Sequence, residues 1–218
     1  SGEDLNSSTF PKLRRFKKIL KKVDLFLGFE EEDDVKSFYL PLWFLSFIEP
    51  NSTIESITTT INKINNVNHR KGFRTKFASQ ISRHDINGVR EKIILLLQTI
   101  DNVDCAGKFM KNTDDLKSKF GDRKIDFLQN YKFNICPENT DTRGYITEKI
   151  IDSFLAGCIP IYWSEKNFAD FKIFNKNSIL FYDENDPQKL YNKISKLYRN
   201  ENAINEFISR PIFTNKAP

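Results

Sequence analysis

Tyr131–Trp163 reads YKFNICPENTDTRGYITEKIIDSFLAGCIPIYW, and one unit of structure can be read from it end to end. Alternating and then continuous apolar residues (Tyr131, Phe133, Ile135, Cys136) predict a buried strand that stops at Pro137. Pro137–Arg143 is made of turn formers and charges, and Gly144 frees the backbone to come close to something. A helix is predicted from near Thr147, with the threonine hydroxyl satisfying an orphan N–H. Ile150, Ile151, Phe154 and Leu155 lie on its apolar face, and Gly157 ends it. Ile159–Trp163 then forms a second buried strand. Strand, loop, helix and strand make the parallel crossover of a doubly wound α/β domain.

The chemistry expected follows from where that loop lies. In such a unit the crevice at the carboxyl end of the first strand meets the amino end of the helix, where N–H groups attract an anion such as a diphosphate. Lys149 puts a positive charge in the first helical turn, against the helix dipole, a choice that helix stability alone does not favour. Glu138, Asn139, Tyr145 and Glu148 offer carboxylates, an amide and an aromatic face, a set suited to the hydroxyls of a sugar or ribose.

Outward from this unit, Lys76–Ile81 predicts another strand, Asn87–Ile100 a helix with Val89, Ile93, Leu96, Leu97 and Ile100 on its apolar side, and Val103–Ala106 a strand before Gly107. Pro187–Arg199 is a helix with Leu190, Ile194 and Leu197 facing inward, and Ser178–Tyr182 is a strand. Thr53–Asn68 is a helix or a long connection. The rings of Phe38–Phe47 are expected in the core. Pro11–Val23 has the pattern of a basic amphipathic helix, a solvated face or, through residues 12–22, a peripheral contact with anionic membrane.

The 218-residue chain carries a net charge of +5. That balance suits an anionic partner without choosing among nucleotide sugar, nucleic acid and membrane; the crossover unit argues against nucleic acid. Cys105, Cys136 and Cys158 are isolated, and with only His69 and His84 beside them no metal-ligand spacing is visible. No apolar run is long enough to span a bilayer, and no secretory pattern opens the sequence.

PEN at 137–139 followed by GYITEKIIDSFLAGCIPIYW at 144–163 resembles the α-1,3-fucosyltransferases of glycosyltransferase family 10, with Ser164 where the family usually has glycine. FYLPLWFLSF at 38–47 resembles a further family segment, Arg90 matches an arginine that contacts the donor diphosphate, and Glu3 in SGED matches a proposed general base. His84 and Arg83 have no counterpart in the family.

The resemblance implies an α/β fold of the GT-B type: a Rossmann-like parallel sheet with helices on both faces, plus a remnant of a second α/β domain. Residues 1–68 would be the end of the acceptor-side domain and a linker, and 69–218 the donor domain. Most of the family's N-terminal acceptor domain has no counterpart here. The implied reaction is inverting transfer of L-fucose from GDP-β-L-fucose to the 3-hydroxyl of N-acetylglucosamine in a lactosamine-like glycan.

On this reading Arg90 and Lys149 hold the diphosphate and Glu148 meets the fucose. Asn139, Tyr145 and Glu138 complete donor binding, and Glu3 deprotonates the acceptor. No metal or other cofactor is implied. The compartment implied is the cytoplasm, peripheral to membrane, with the Golgi lumen as the alternative. A transferase for another nucleotide sugar, or a non-catalytic nucleotide-sugar-binding subunit, are the alternatives for function.

Overall fold

Apolar runs spaced by amphipathic helices build a parallel sheet, and the computed structural model shows how it is ordered. It describes residues 24–28, 37–72, 74–164 and 169–214. The expectations for Glu3, for the basic segment 11–23 and for residues 12–22 at a membrane fall outside that range.

Two short strands, β1 (Phe26–Gly28) and β2 (Ser37–Tyr39), pair in parallel in a sheet of their own. Three helices follow, α1 (Leu42–Phe47), α2 (Ile54–Asn65) and α3 (Val67–Lys71). A capping box of Thr53 and Ser56 starts α2, so the polar 53–68 stretch is helical rather than a loop. Then come β3 (Lys76–Gln80), α4 (Val89–Gln98), β4 (Val103–Cys105), α5 (Asp115–Ser118), α6 (Lys124–Leu128) and β5 (Tyr131–Ile135). The chain closes with α7 (Glu148–Ala156), β6 (Ile159–Tyr162), β7 (Leu180–Phe181), α8 (Pro187–Arg199) and α9 (Glu201–Ile208).

The larger sheet has the order β4–β3–β5–β6–β7, and all its pairings are parallel. β3 therefore has β4 on one side and β5 on the other. The connections leave β3 and β5 toward opposite sides, so the gap between their carboxyl ends is the topological switch point, the place where open α/β sheets bind ligands.

Helices cover both faces. One apolar cluster joins Val89, Ile93 and Leu97 of α4 to Leu190 and Ile194 of α8 and Phe207 of α9, over Phe133, Ile159 and Ile161. A second joins Ile150, Ile151 and Phe154 of α7 to Trp43 of α1, Ile64 of α2 and Tyr162 of β6. The helices before residue 69 thus share a core with the sheet that follows. Asp170 ties them further, accepting hydrogen bonds from Tyr39 Oη (2.5 Å) and Trp43 Nε1 (2.9 Å) while only 3% exposed. Not all the rings of 38–47 are core, however. Phe38, on the two-stranded sheet, is 61% exposed.

Element ends differ from the expected ones by a residue or two where a cap decides. Gly88 takes φ 72° and moves the start of α4 from Asn87 to Val89. Gly157, at φ 77°, ends α7 as expected, and a Cβ there would stand 2.3 Å from Arg74 Nη2.

Candidate active site

At the switch point the loops after β3 and β5 meet through Arg90. It lies in the first turn of α4, is 2% exposed, and donates from Nη2 to Pro137 O (2.9 Å) and Asn139 Oδ1 (2.8 Å). Its Nη1 reaches His84 O at 3.4 Å, and Asp85 lies 3.6 Å away. Burial lowers the Arg90 pKa, opposed by the charges of Asp85 and Glu138. Asn87 Nδ2 donates to Asn139 O at 3.3 Å and ties the loops a second time. The planar fork of an arginine suits such a junction, since its donors are fixed in one plane.

Glu138 is fully buried and its carboxylate is fully engaged. Oε1 accepts from Thr147 N (2.8 Å) and Tyr162 Oη (2.9 Å); Oε2 accepts from Thr147 Oγ1 (2.7 Å) and Lys149 Nζ (3.0 Å). Two sequence expectations are corrected here. The Thr147 hydroxyl does not cap α7: its oxygen accepts from Lys149 Nζ (2.9 Å) and its proton goes to Glu138, which also takes the Thr147 N–H. The amino end of α7 is therefore not simply open to an anion: the chain's own carboxylate already sits there. Glu138 itself holds its neighbours in place and is too enclosed to meet a sugar hydroxyl directly.

Lys149 stays partly open, with 23% of its side chain exposed. Burial disfavours its ammonium, but Glu138 and Glu148 outweigh burial and raise its pKa. Glu148 lies 3.8 Å from Lys149 and is the most open of the set at 41%. Burial also works against the Glu148 carboxylate, yet Lys149 and its own backbone N–H hold its pKa below the ordinary value. Tyr145, on the turn that follows Gly144 (φ 79°), is buried at 3% exposure.

A cavity of about 60 Å³ opens at this junction, lined by Gln80 of β3, Arg90, Pro137, Glu148 and Lys149. Arg90, Glu138, Asn139, Glu148 and Lys149 are thus brought together, and Tyr145 lies in the same loop. Lys124 and Asp152 line the cavity too, and sequence reasoning missed both. Asp152 was signalled by its i, i+4 spacing from Glu148; its pKa is raised by burial, opposed by Lys124 at 3.7 Å. Lys124 comes from α6 and had no local signal.

A buried cationic fork and a half-open ammonium stand at the switch point of the parallel sheet of an α/β domain, an arrangement that suits an anionic group. Residues 67–210 match the model of "Glycosyltransferase family 10 (fucosyltransferase) C-term". The chain belongs to that family. It is similar to "Alpha-(1,3)-fucosyltransferase FucT" of Helicobacter pylori, 35% identical over 128 residues that cover 58% of this chain and 26% of that protein. It is also similar to "GDP-fucose protein O-fucosyltransferase 3" of Canis lupus familiaris, 29% identical over 125 residues, covering 55% of this chain and 26% of that protein. The matches thus span about a quarter of each relative's length. The solved structure "Crystal Structure of alpha1,3-Fucosyltransferase with GDP-fucose" superposes with a TM-score of 0.66 at 23% identity, covering 100% of this chain and 67% of that one. The likeness establishes the GT-B fold, of which the five-stranded sheet is the Rossmann-like part.

Proposed function

We propose that this chain carries the donor site of an inverting α-1,3-fucosyltransferase, taking L-fucose from GDP-β-L-fucose to the 3-hydroxyl of N-acetylglucosamine in a lactosamine-like glycan. The observation that carries the proposal is the convergence of Arg90 and Lys149 on one cavity at the switch point. The relatives and the GDP-fucose complex support fucose as the sugar.

The reaction needs a place for the charge that grows on the diphosphate as the bond from fucose C1 to its oxygen breaks. Arg90 and Lys149 supply it, fixed in advance by Pro137, Asn139 and Glu138. Glu148, the open carboxylate, faces the positive charge that develops at the fucose ring, and Asn139 and Tyr145 position the nucleotide sugar. Glu138 acts through Lys149 rather than on the donor. The acceptor oxygen forms the new bond to C1 from the opposite side, GDP leaves with the bonding electrons, and the acceptor proton goes to a carboxylate, a role assigned to Glu3. In this scheme the two cations do the electrostatic work, and no metal ion is called for.

A second reading concerns the acceptor alone. The likeness to a protein O-fucosyltransferase favours a polypeptide hydroxyl in place of a glycan hydroxyl. Incubation with GDP-fucose and either N-acetyllactosamine or unfolded polypeptide, followed by linkage analysis of the product, separates the two. A 3-linked fucosyl glycan is the expected product. Fucose on serine or threonine only would overturn the glycan assignment, and release of free fucose without transfer would mark a donor site lacking its acceptor partner.

A further inference from the structure

At the other edge of the sheet, where β5 and β6 begin, lies a cleft of about 400 Å³ lined by Arg70, Lys71, Arg74, Lys132 and Arg199 against a single carboxylate, Glu201. We propose that this cleft is a second binding site, for a phosphate group, separate from the donor cavity.

Two of these cations differ in what they do. Arg74 is occupied: it donates to Gln129 O (2.6 Å), Ala156 O (2.8 Å), His69 O (3.1 Å) and Arg70 O (3.3 Å), gathering carbonyls at or near the ends of α3, α6 and α7. Its role in the fold is evident, and its charge remains beside the cleft. Arg70 is only half used. Nη1 donates to Ile208 O (2.8 Å) and Arg210 O (2.6 Å), which anchors the guanidinium to the end of α9. Nε and Nη2 have no hydrogen-bond partner among the described residues, although Arg70 is 2% exposed.

That unused pair is the side-on edge of the fork, the edge that gives two parallel bonds to one oxyanion. Leaving buried cationic donors unpaired is costly, and a bound anion removes the cost. Among the described residues no carboxylate forms an ion pair with Arg70, Lys71, Arg74, Lys132 or Arg199. Burial and then the repulsion of Arg74 bring the Arg70 pKa down to about 10, the direction expected of a cation waiting for a counter-charge. A single carboxylate would fill the Arg70 edge; four further cations suit the higher charge of a phosphate. The volume is in the range of small-ligand sites.

Free phosphate and a lipid headgroup share this chemistry, and the test separates the two. The full chain is titrated calorimetrically with sodium pyrophosphate, beside Lys149→Ala as a control for the donor cavity and the double variant Lys132→Glu/Arg199→Glu. Both substitutions in the double variant lie at the mouth of the cleft, so they probe it without touching buried Arg70. Co-flotation with phosphatidylcholine vesicles, with and without phosphatidylinositol phosphate, forms the second arm. Pyrophosphate binding that survives Lys149→Ala and weakens roughly tenfold or more in the double variant is expected. Flotation that needs the phosphoinositide and fails in the double variant, without pyrophosphate binding, assigns the group to a lipid. If the double variant matches the wild type in both arms, or if wild type binds neither probe, the proposal is overturned.

Discussion

The Glu138 carboxylate lies 3.0 Å from the Lys149 ammonium, and of the pair only the lysine reaches solvent. A buried acid therefore fixes the position of a half-open base at the mouth of the candidate donor cavity. Replacing Glu138 by alanine removes the acceptor for Thr147, Tyr162 and Lys149 together. Breaking a buried ion pair in this way should cost about 3–5 kcal/mol of folding stability. Urea unfolding of Glu138→Ala measures that loss. Glu138→Gln keeps an acceptor and should lose less stability while still weakening GDP-fucose binding, because the amide no longer holds the ammonium by charge.

Lys149 also gives the pair a pH signature. Its pKa is raised in the folded protein from 10.5, so the stabilisation is complete below that value and is lost as pH climbs through the raised pKa. Glu148 runs the other way: lowered from 4.5, it stabilises above that value and the contribution fades as pH falls below it. Unfolding free energies measured from pH 7 to pH 11 should fall more steeply at the alkaline end for wild type than for Lys149→Met. Parallel curves would contradict the assignment.

Arg90 spreads its donors over the Pro137 carbonyl, the Asn139 amide and the His84 carbonyl, a geometry that a single ammonium cannot copy. Arg90→Lys should therefore behave as a loss of function. On the proposed mechanism, either Arg90→Lys or Arg90→Ala lowers turnover roughly a hundredfold or more, with thermal unfolding recorded alongside to separate stability from rate. Near-normal turnover in Arg90→Lys would refute this role.

Asp170 offers a contrasting case. Its burial raises its pKa, opposed by the hydrogen bonds from Tyr39 and Trp43. Asp170→Ala removes the acceptor of both bonds and should cost about 1–3 kcal/mol for the buried Trp43 donor, and Asp170→Asn restores an acceptor. Stability should drop in the first and largely recover in the second, with GDP affinity unchanged in Asp170→Asn.

Gly157→Ala tests the packing behind the site. The left-handed backbone alone costs a residue with a Cβ about 1–2 kcal/mol, and the Cβ would also collide with the Arg74 guanidinium. The denaturant midpoint should fall accordingly, since the Cβ would also stand 2.9 Å from the His69 carbonyl oxygen; an unchanged midpoint would contradict both the backbone strain and the collision.

Much of this was legible in the sequence for a definite reason. Strands β5 and β6 carry alternating or continuous apolar residues bounded by turn formers, and α4, α7 and α8 carry clear helical periodicity, so local pattern and final fold agree. Pro187 after Asp186 places the start of α8 to the residue.

What escaped was set by partners distant in the chain. The engagement of Glu138 depends on Tyr162, a strand away, so it read as a ligand group. Asp170 meets Tyr39 and Trp43 across 131 and 127 positions, a distance no spacing rule reaches. Arg70 carried no local signal, because the carbonyls that anchor it come from the end of α9 and the residues just after it. Thr147 had the right chemistry for a cap, but its Oγ1 accepts from Lys149 Nζ and donates to Glu138 instead.

The central claim is a donor site for GDP-fucose held by Arg90 and Lys149. Calorimetric titration of the chain with GDP-fucose, GDP-mannose and UDP-galactose, repeated on Arg90→Ala and Lys149→Ala, tests it most directly. The account predicts selective binding of GDP-fucose that both substitutions weaken. Equal binding of all three sugars, or GDP-fucose binding untouched by either substitution, would contradict it.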